Sequence, residues 1–193
     1  MEWEDLTHFE GNANAFRLLT HQSQGRRKGG FVMTYSTLAS IVKYPFPSIL
    51  AGKKPKFGFF TTEINDYIKI AEELGIKRLS QEGEPIKYAR HPLVFLVEAA
   101  DDICYQMMDI EDAYKLKLLT PRETKELYQL FLDEKKKERV EEVFRLVTDE
   151  NEQIAYLRAT VIGLLVKECT QVFMDNEEAI LNGTFEGALI KHI

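Results

Sequence analysis

The most constraining stretch of the sequence is residues 90–112, an almost unbroken apolar run that gives way to several acidic residues. Proline is favoured in the first turn of a helix, where its missing N–H has no intrahelical partner, so Pro92 marks a helix start. At 3.6 residues per turn, one stripe of this helix carries five polar side chains: Glu98, Asp101, Tyr105, Asp109 and Asp112. The stretch therefore predicts a long helix with a face lined by carboxylates.

Two interpretations of the acidic face stay open at this point. An amphipathic helix simply turns such a face to water. The first half of the helix, however, is apolar nearly all round, which is typical of a buried helix, and a buried carboxylate needs a cation, a metal or good hydrogen bonds. The second interpretation predicts that Asp101 lies in buried surroundings, where its carboxylate is a suitable hard oxygen ligand for a metal ion.

Helical periodicity recurs along the rest of the chain, and no convincing strand alternation is found. Gly75 ends one helical pattern, and Thr120 with Pro121 begins another, with threonine as the cap and proline in the first position. We expect an all-α fold of about eight helices, near residues 9–19, 34–43, 61–74, 92–112, 120–131, 134–146, 154–173 and 175–182.

The composition is ordinary for a soluble protein of one domain, or one domain with an appendage. Of the 193 residues, 45% are hydrophobic and 29% are charged, and no apolar run is long enough to span a membrane. The N-terminal residues are acidic, where a secretory signal would be basic, which predicts a cytoplasmic protein. Cys104 and Cys169 both lie in apolar helical patterns, which favours core packing over a disulfide or a zinc site.

Two basic segments are candidates for contacts with anions. The net charge of −6 disfavours general nucleic-acid binding, but Arg26, Arg27 and Lys28 form a local cluster between glycines. Residues 52–60 mix lysines, aromatic residues and turn formers, a combination suited to phosphate groups. Both segments are also consistent with ordinary solvated loops.

Five segments, in this order, resemble the deoxyguanosine triphosphate triphosphohydrolases of the HD-domain superfamily. They are Phe-Glu-Gly-Asn-Ala at 9–13, Lys-Tyr-Pro at 43–45, the stretch 91–105 with Glu-Ala-Ala-Asp-Asp-Ile at 98–103, and the tail segments 155–158 and 181–185. The resemblance covers nearly the whole chain, and the segment at 98–103 is its most specific part. It implies a multi-helix HD-domain-like bundle, incomplete at its N-terminal side. Residues 1–120 would be the C-terminal part of the catalytic core, and 121–193 a helical region packed on it.

The resemblance also implies a reaction and a set of site residues. Such enzymes are expected to hydrolyse dGTP to deoxyguanosine and tripolyphosphate with Mg²⁺ or Mn²⁺, which is held by a histidine, a His-Asp pair and a distant aspartate. Asp101 matches the distant metal-binding aspartate. Tyr105 and Asp109 match residues that contact the deoxyribose, with Tyr105 placed to exclude a 2′-hydroxyl. The positions that match phosphate contacts are Asn12, Lys43, Tyr44 and Lys56.

One departure from the family pattern limits what this chain is expected to do by itself. It contains no His-Asp dipeptide, and its four histidines, at positions 8, 21, 91 and 192, do not lie in the family motif. The chain thus corresponds to the part downstream of that motif. Since one carboxylate does not hold a divalent ion tightly, we expect the chain alone to lack a complete metal site and to be inactive.

The sequence leaves a non-catalytic alternative open, namely a deoxynucleotide-binding, oligomerisation or regulatory module. A di-iron bundle is disfavoured, because it requires paired Glu-x-x-His motifs and the chain has none. The resemblance implies a homo-oligomer as well. It also makes residues 26–28 a candidate contact for single-stranded DNA.

Overall fold

The computed structural model describes residues 2–22, 30–53 and 55–193. Within these ranges the chain forms nine α-helices and three short 3-10 helices, and it contains no β-strand beyond two isolated bridges. The α-helices are α1 (Glu2–Thr7), α2 (Gly11–Thr20), α3 (Tyr35–Ser40), α4 (Ile64–Glu73), α5 (Pro92–Lys115), α6 (Pro121–Gln129), α7 (Glu134–Phe144), α8 (Glu150–Asp175) and α9 (Glu177–Leu181). The predicted all-α class is confirmed.

Local sequence signals explain where several of these helices begin and end. Pro92 and Pro121 are the first residues of α5 and α6. Thr120 and Glu123 form a capping box: the Thr120 hydroxyl accepts the Glu123 N–H at 3.2 Å, and the Glu123 carboxylate accepts the Thr120 N–H at 2.8 Å. Gly75 follows α4 with a φ of +65°, a backbone conformation that glycine adopts without steric penalty.

Several helix bounds differ from the prediction: α5 continues to Lys115, and α8 begins at Glu150 instead of near residue 154. The helix α3 ends at Ser40, although the helical periodicity of the sequence extends to residue 43. After Ser40 the hydrogen bonding changes from the α to the 3-10 type, since the Val42 N–H donates to the Ala39 carbonyl, three residues earlier, at 3.2 Å. Pro45 disfavours a helical backbone at the residue before it, so the helix does not continue through this segment. The six-residue helix α1 was not predicted, since it is too short to establish a period.

A first compact unit comprises residues 1–98 and 173–187. Its core is rich in aromatic rings: Phe59 stacks on Tyr67 with centroids 4.6 Å apart, and Phe16 meets Tyr67 edge-on at 5.9 Å. The other buried members of this cluster are Leu38, Ala39, Val42, Ile70, Ala71 and Tyr88. Because the cluster includes Val42 and Phe59, it anchors both ends of the irregular segment between α3 and α4.

A second compact unit comprises residues 99–172 and 188–193. Tyr128 of α6 is fully buried, and its hydroxyl donates to the Met107 carbonyl of α5 at 3.3 Å. Arg158 of α8 forms an ion pair with Glu111 of α5. Hydrogen bonds from Lys115 and Arg158 lower the pKa of Glu111. These contacts fasten α6 and α8 to the later turns of α5.

The two cysteines differ in exposure, although both were predicted to pack in the core. Cys169 is buried, as predicted, and burial raises the pKa of its thiol. Cys104 is exposed, so the prediction was wrong for that residue. Among the described helices, none is both long and apolar enough to cross a membrane.

Candidate functional site

The start of α2 brings two of the predicted binding residues to one carboxylate. Glu10 precedes α2 and is only 3% exposed, so its charge needs donors. Its Oε2 accepts the backbone N–H groups of Asn12 at 2.5 Å and Ala13 at 3.2 Å. Its Oε1 accepts the side-chain amide of Asn12 at 3.1 Å and the ammonium of Lys56 at 3.2 Å. Asn12 and Lys56, far apart in the sequence, therefore meet at Glu10.

Tyr44 joins this group to a second lysine. The ammonium groups of Lys43 and Lys56 each lie 5.9 Å from the centroid of the Tyr44 ring, so they are separated by no more than twice that distance. The Lys56 side chain is 50% exposed and that of Lys43 is 33% exposed, which leaves both cations accessible to a ligand. The first unit thus brings together all four residues predicted to contact phosphate.

Lys43 is held by a carboxylate of its own. Its ammonium lies 2.6 Å from Oε1 of Glu98, and the guanidinium of Arg90 lies 2.5 Å from Oε2 of the same side chain. Burial by itself would raise the pKa of Glu98, but the hydrogen bonds from Lys43 and Arg90 outweigh it, and the pKa is lowered. The guanidinium of Arg90 also lies over the Phe95 ring, 4.4 Å from its centroid. Glu98 is therefore an ionised anchor for Lys43.

A close backbone approach fixes the loop that carries Lys56. The Gly58 N–H donates to the Phe46 carbonyl at 3.0 Å. A Cβ on Gly58 would lie 2.2 Å from the Tyr44 carbonyl oxygen and 2.5 Å from a methyl carbon of Val42, so no larger residue fits without a shift of the backbone. The segments around Tyr44 and Lys56 consequently run side by side.

The remaining predicted residues, Asp101, Tyr105 and Asp109, lie on α5 in the second unit. Spacings of four residues put all three along one helix face. The side chains of Asp101, Tyr105 and Asp109 are exposed, so Asp101 does not lie in the buried surroundings that one of the two interpretations required. The buried face of this part of α5 is instead formed by Ala99, Ile103 and Met107. The amphipathic interpretation therefore holds from Asp101 onward, whereas Glu98, on the same stripe, is largely buried and paired with two cations.

The described residues do not by themselves fit a divalent metal centre. No group of three histidine, cysteine, aspartate or glutamate side chains lies close enough together, within the described ranges, to hold an ion. Asp101 supplies one carboxylate, whereas a tightly held ion takes several protein ligands. His91 is engaged at the start of α5, where its Nδ1 accepts the Leu93 N–H at 3.2 Å, and burial lowers its pKa.

Comparison with known proteins finds relatives over the whole of this chain. No family model matches the chain. A deoxyguanosinetriphosphate triphosphohydrolase-like protein of Pseudomonas aeruginosa is 35% identical over 199 residues, which cover all of this chain and 43% of the relative. A protein of the same description from Synechocystis is 35% identical over 200 residues, covering 99% of this chain and 43% of that relative. This chain is a homologue of the deoxyguanosinetriphosphate triphosphohydrolase-like proteins.

The resemblance inferred from the five segments is thereby confirmed, and it extends over the full chain. As a homologue of the triphosphohydrolase-like proteins, the chain spans less than half of the length of these relatives. The assignment of residues 1–120 and 121–193 to parts of the family fold stays a prediction. Residues 26–28, the candidate DNA contact, lie outside the described residues.

Sequence reasoning missed Glu10 and Arg90 as members of the site. Glu10 lies inside the family-like segment at 9–13, but a glutamate before a helix is usually a solvated residue, and nothing local indicates its contact with Lys56. Arg90 precedes α5, and its spacing of eight residues from Glu98 is only a weak indication that the two side chains meet. Both contacts depend on tertiary structure. The contact of Glu10 with Lys56 joins positions 46 residues apart, and that of Arg90 joins the residues before α5 to its second turn.

Proposed function

We propose that this chain is the substrate-binding portion of a metal-dependent deoxynucleoside triphosphate triphosphohydrolase, which converts dGTP and water into deoxyguanosine and tripolyphosphate. The observation that carries the proposal is the convergence of Asn12, Lys43, Tyr44 and Lys56 in the first unit. These residues lie in separate segments of the sequence, and the homology over the whole of this chain, which spans 43% of the relative, supports the same proposal. The reaction and the substrate come from the relatives' description and are proposed for this chain.

The chemistry of the cluster suits a triphosphate. Lysine ammonium groups bind phosphate oxygens as point charges, and an asparagine amide adds a directional N–H donor. In the proposed reaction water attacks the α-phosphorus, the bond from that phosphorus to the 5′ oxygen breaks, and the oxygen takes up a proton to become the nucleoside hydroxyl. The two cations would hold the triphosphate in place and offset the negative charge that it brings to the site.

Asp101, Tyr105 and Asp109 have proposed roles on the nucleoside side of the reaction. Asp101 would be one ligand of the Mg²⁺ or Mn²⁺ ion, while Tyr105 would exclude a ribose 2′-hydroxyl and Asp109 would accept a hydrogen bond from the deoxyribose. Because the described residues lack a three-ligand group, we propose that the 193-residue chain alone does not turn over dGTP. From the family resemblance we also propose that the chain takes part in a homo-oligomer.

The same lack of a three-ligand group within the described ranges favours a second candidate function, a deoxynucleotide-binding module without catalysis. Both candidates bind dGTP through the same four residues. They differ in whether the site becomes hydrolytic once the remaining part of a relative is supplied.

A chimera separates the two candidates. The matched 199-residue segment of the Pseudomonas aeruginosa relative is replaced by this chain, and tripolyphosphate release from dGTP is measured with Mg²⁺ or Mn²⁺. We expect release by the chimera and none by the chain alone. Asp101→Ala should abolish release, whereas Asp102→Ala, its neighbour on the same helix, should leave most of it. A folded chimera that binds dGTP without hydrolysing it supports the module, and one that does not bind dGTP contradicts both candidates.

A further inference from the structure

The two carboxylate oxygens of Glu10 accept hydrogen bonds from different groups. Oε2 accepts two backbone N–H groups at the start of α2, an ordinary helix cap. Oε1 accepts the Asn12 side-chain amide at 3.1 Å and the Lys56 ammonium at 3.2 Å, which are two of the four proposed triphosphate contacts. The cap requires only the first oxygen. The second oxygen therefore has a separate role.

We propose that Glu10 is a positioning residue for triphosphate binding, and that Oε1 fixes the Lys56 ammonium and the Asn12 amide where both meet phosphate oxygens. This inference rests on the proposed function, because it assumes that Asn12 and Lys56 contact the substrate. It goes beyond that function by assigning a role to a carboxylate that does not touch the ligand. In this role the negative group contributes order to the polyanion site.

The donors that Glu10 leaves unused support this role. An ammonium carries three N–H bonds and a side-chain amide carries two, and Glu10 takes one from each. Two N–H bonds of Lys56 and one of Asn12 thus remain for phosphate oxygens. Lysine is among the side chains that lose most conformational freedom when they are ordered. Holding Lys56 before the ligand arrives reduces that loss on binding, which is how preorganisation increases affinity.

The burial of Glu10 explains how its contact with Lys56 can hold the exposed lysine side chain in place. The Glu10 side chain is 2% exposed, whereas the Lys56 side chain is 50% exposed. Backbone N–H groups of α2 fix the carboxylate, so it is a rigid partner for a flexible cation. The Tyr44 ring, 5.9 Å from the same ammonium, limits its movement on another side.

Positioning and simple electrostatics predict opposite effects when Glu10 loses its charge. The cluster contains three cations, Lys43, Lys56 and Arg90, and two carboxylates, Glu10 and Glu98. Glu10→Gln removes a negative charge, so Coulomb attraction alone would tighten the binding of a polyanion. If Glu10 acts by holding Lys56 and Asn12, the same variant binds the polyanion more weakly. The sign of the change in affinity therefore distinguishes positioning from simple electrostatics.

A second variant separates positioning from helix capping. Glu10→Asp keeps the negative charge, and aspartate is a favoured N-cap residue, so α2 remains capped. Its side chain is one methylene shorter, which takes the carboxylate out of reach of the Lys56 ammonium. We expect Glu10→Asp to unfold at nearly the wild-type urea concentration and still to bind tripolyphosphate more weakly.

The experiment measures the dissociation constant of inorganic tripolyphosphate for the full 193-residue chain by calorimetry, at low and at moderate salt. We expect Glu10→Gln and Glu10→Asp to weaken binding about tenfold, the size expected for one charge-assisted contact, and to reduce its salt dependence. The control Glu126→Gln removes an equal charge from an exposed residue of α6 and should not weaken binding. In a background of Lys56→Met and Asn12→Ala, Glu10→Gln should no longer weaken binding, because its targets are gone and only the Coulomb effect remains.

Each other outcome has a definite meaning. Unchanged or tighter binding by Glu10→Gln, or wild-type affinity in Glu10→Asp, overturns the positioning role. An equal loss of affinity in the background without Lys56 and Asn12 overturns it as well, since it makes the effect general to the fold. If tripolyphosphate does not bind to the wild-type chain, both the inference and the proposed phosphate contacts are wrong. If binding depends on Lys56 but not on Glu10, only the inference is wrong.

Discussion

The ammonium of Lys43 lies 2.6 Å from Oε1 of Glu98, a carboxylate whose side chain is 9% exposed. Arg90 binds the other oxygen of the same carboxylate at 2.5 Å. Two cations on one largely buried anion keep it ionised, which is why its pKa is lowered despite the burial that favours the neutral acid. The contact joins the loop after α3 to the first turns of α5.

This contact predicts a stability difference that depends on pH. A carboxylate whose pKa is lower in the folded protein stabilises the fold above its unfolded-state pKa, roughly 4.3, and loses that contribution as pH falls through the folded-state pKa. Glu98→Gln should therefore lower the free energy of unfolding by about 1–3 kcal/mol at pH 7. Urea unfolding should show this difference shrinking as the pH falls from the unfolded-state pKa through the lower folded-state pKa of Glu98, below which Glu98 is neutral like its glutamine replacement. A stability difference that does not vary with pH would contradict the conclusion that ionised Glu98 holds Lys43 and Arg90.

The close approach at Gly58 predicts a steric penalty. Gly58→Ala would put a Cβ 2.2 Å from the Tyr44 carbonyl oxygen, so the backbone must move, and we expect a loss of about 1–3 kcal/mol in unfolding free energy. Tripolyphosphate binding should weaken too, because Tyr44 and Lys56 are displaced from one another. Gly163→Ala is the matched control: nothing lies within 4 Å of its Cβ inside α8, and alanine should stabilise the helix by about 0.5–1 kcal/mol. Equal effects of the two substitutions would refute the packing.

The capping box at α6 predicts the cost of losing a side-chain cap. Thr120→Ala removes the acceptor for the Glu123 N–H and should lower the unfolding free energy by about 1 kcal/mol. Thr170 bonds only the carbonyl of Val166, four residues earlier in α8, an arrangement that slightly disfavours a helix. Thr170→Ala should therefore leave stability unchanged or raise it slightly. Chemical denaturation of both variants checks the difference.

Helix positions were largely predictable from the sequence, because local signals determine them. Pro92, Pro121 and Gly75 lie where the structure begins or ends a helix. Which face of a helix is buried depends on the elements that pack against it, and the sequence pattern did not identify the buried face of α5. Its apolar residues surround the helix, so periodicity did not indicate that Ala99, Ile103 and Met107 form the buried face and that Asp101 is exposed.

The candidate site was predictable to the extent that its residues lie in family-like segments. Asn12, Lys43, Tyr44 and Lys56 were selected in this way, and the structure brings them together. The carboxylates that hold the lysines were not identified as such. Contacts such as that of Lys56 with Glu10 join segments that are distant in sequence, and neither composition nor period encodes such a pairing.

The different surroundings of the two cysteines predict different reactivities. Cys104 is exposed on α5, whereas Cys169 is buried and its thiol pKa is raised, which disfavours the reactive thiolate. A thiol-specific disulfide reagent at pH 8 should titrate one thiol quickly in the native protein and both in urea. Cys104→Ser should remove the fast reaction. Rapid labelling of Cys169 in the native chain would show that α8 is packed differently.

Equilibrium binding of dGTP and deoxyguanosine to the 193-residue chain tests the central claim most directly, because it asks whether affinity comes from the triphosphate. The account predicts that dGTP binds much more tightly than the nucleoside. Lys43→Met and Lys56→Met should each weaken dGTP binding about tenfold, while Lys137→Met, a control on α7, should have no effect. Equal affinities for dGTP and deoxyguanosine, or dGTP binding that is insensitive to Lys43 and Lys56, would contradict the account.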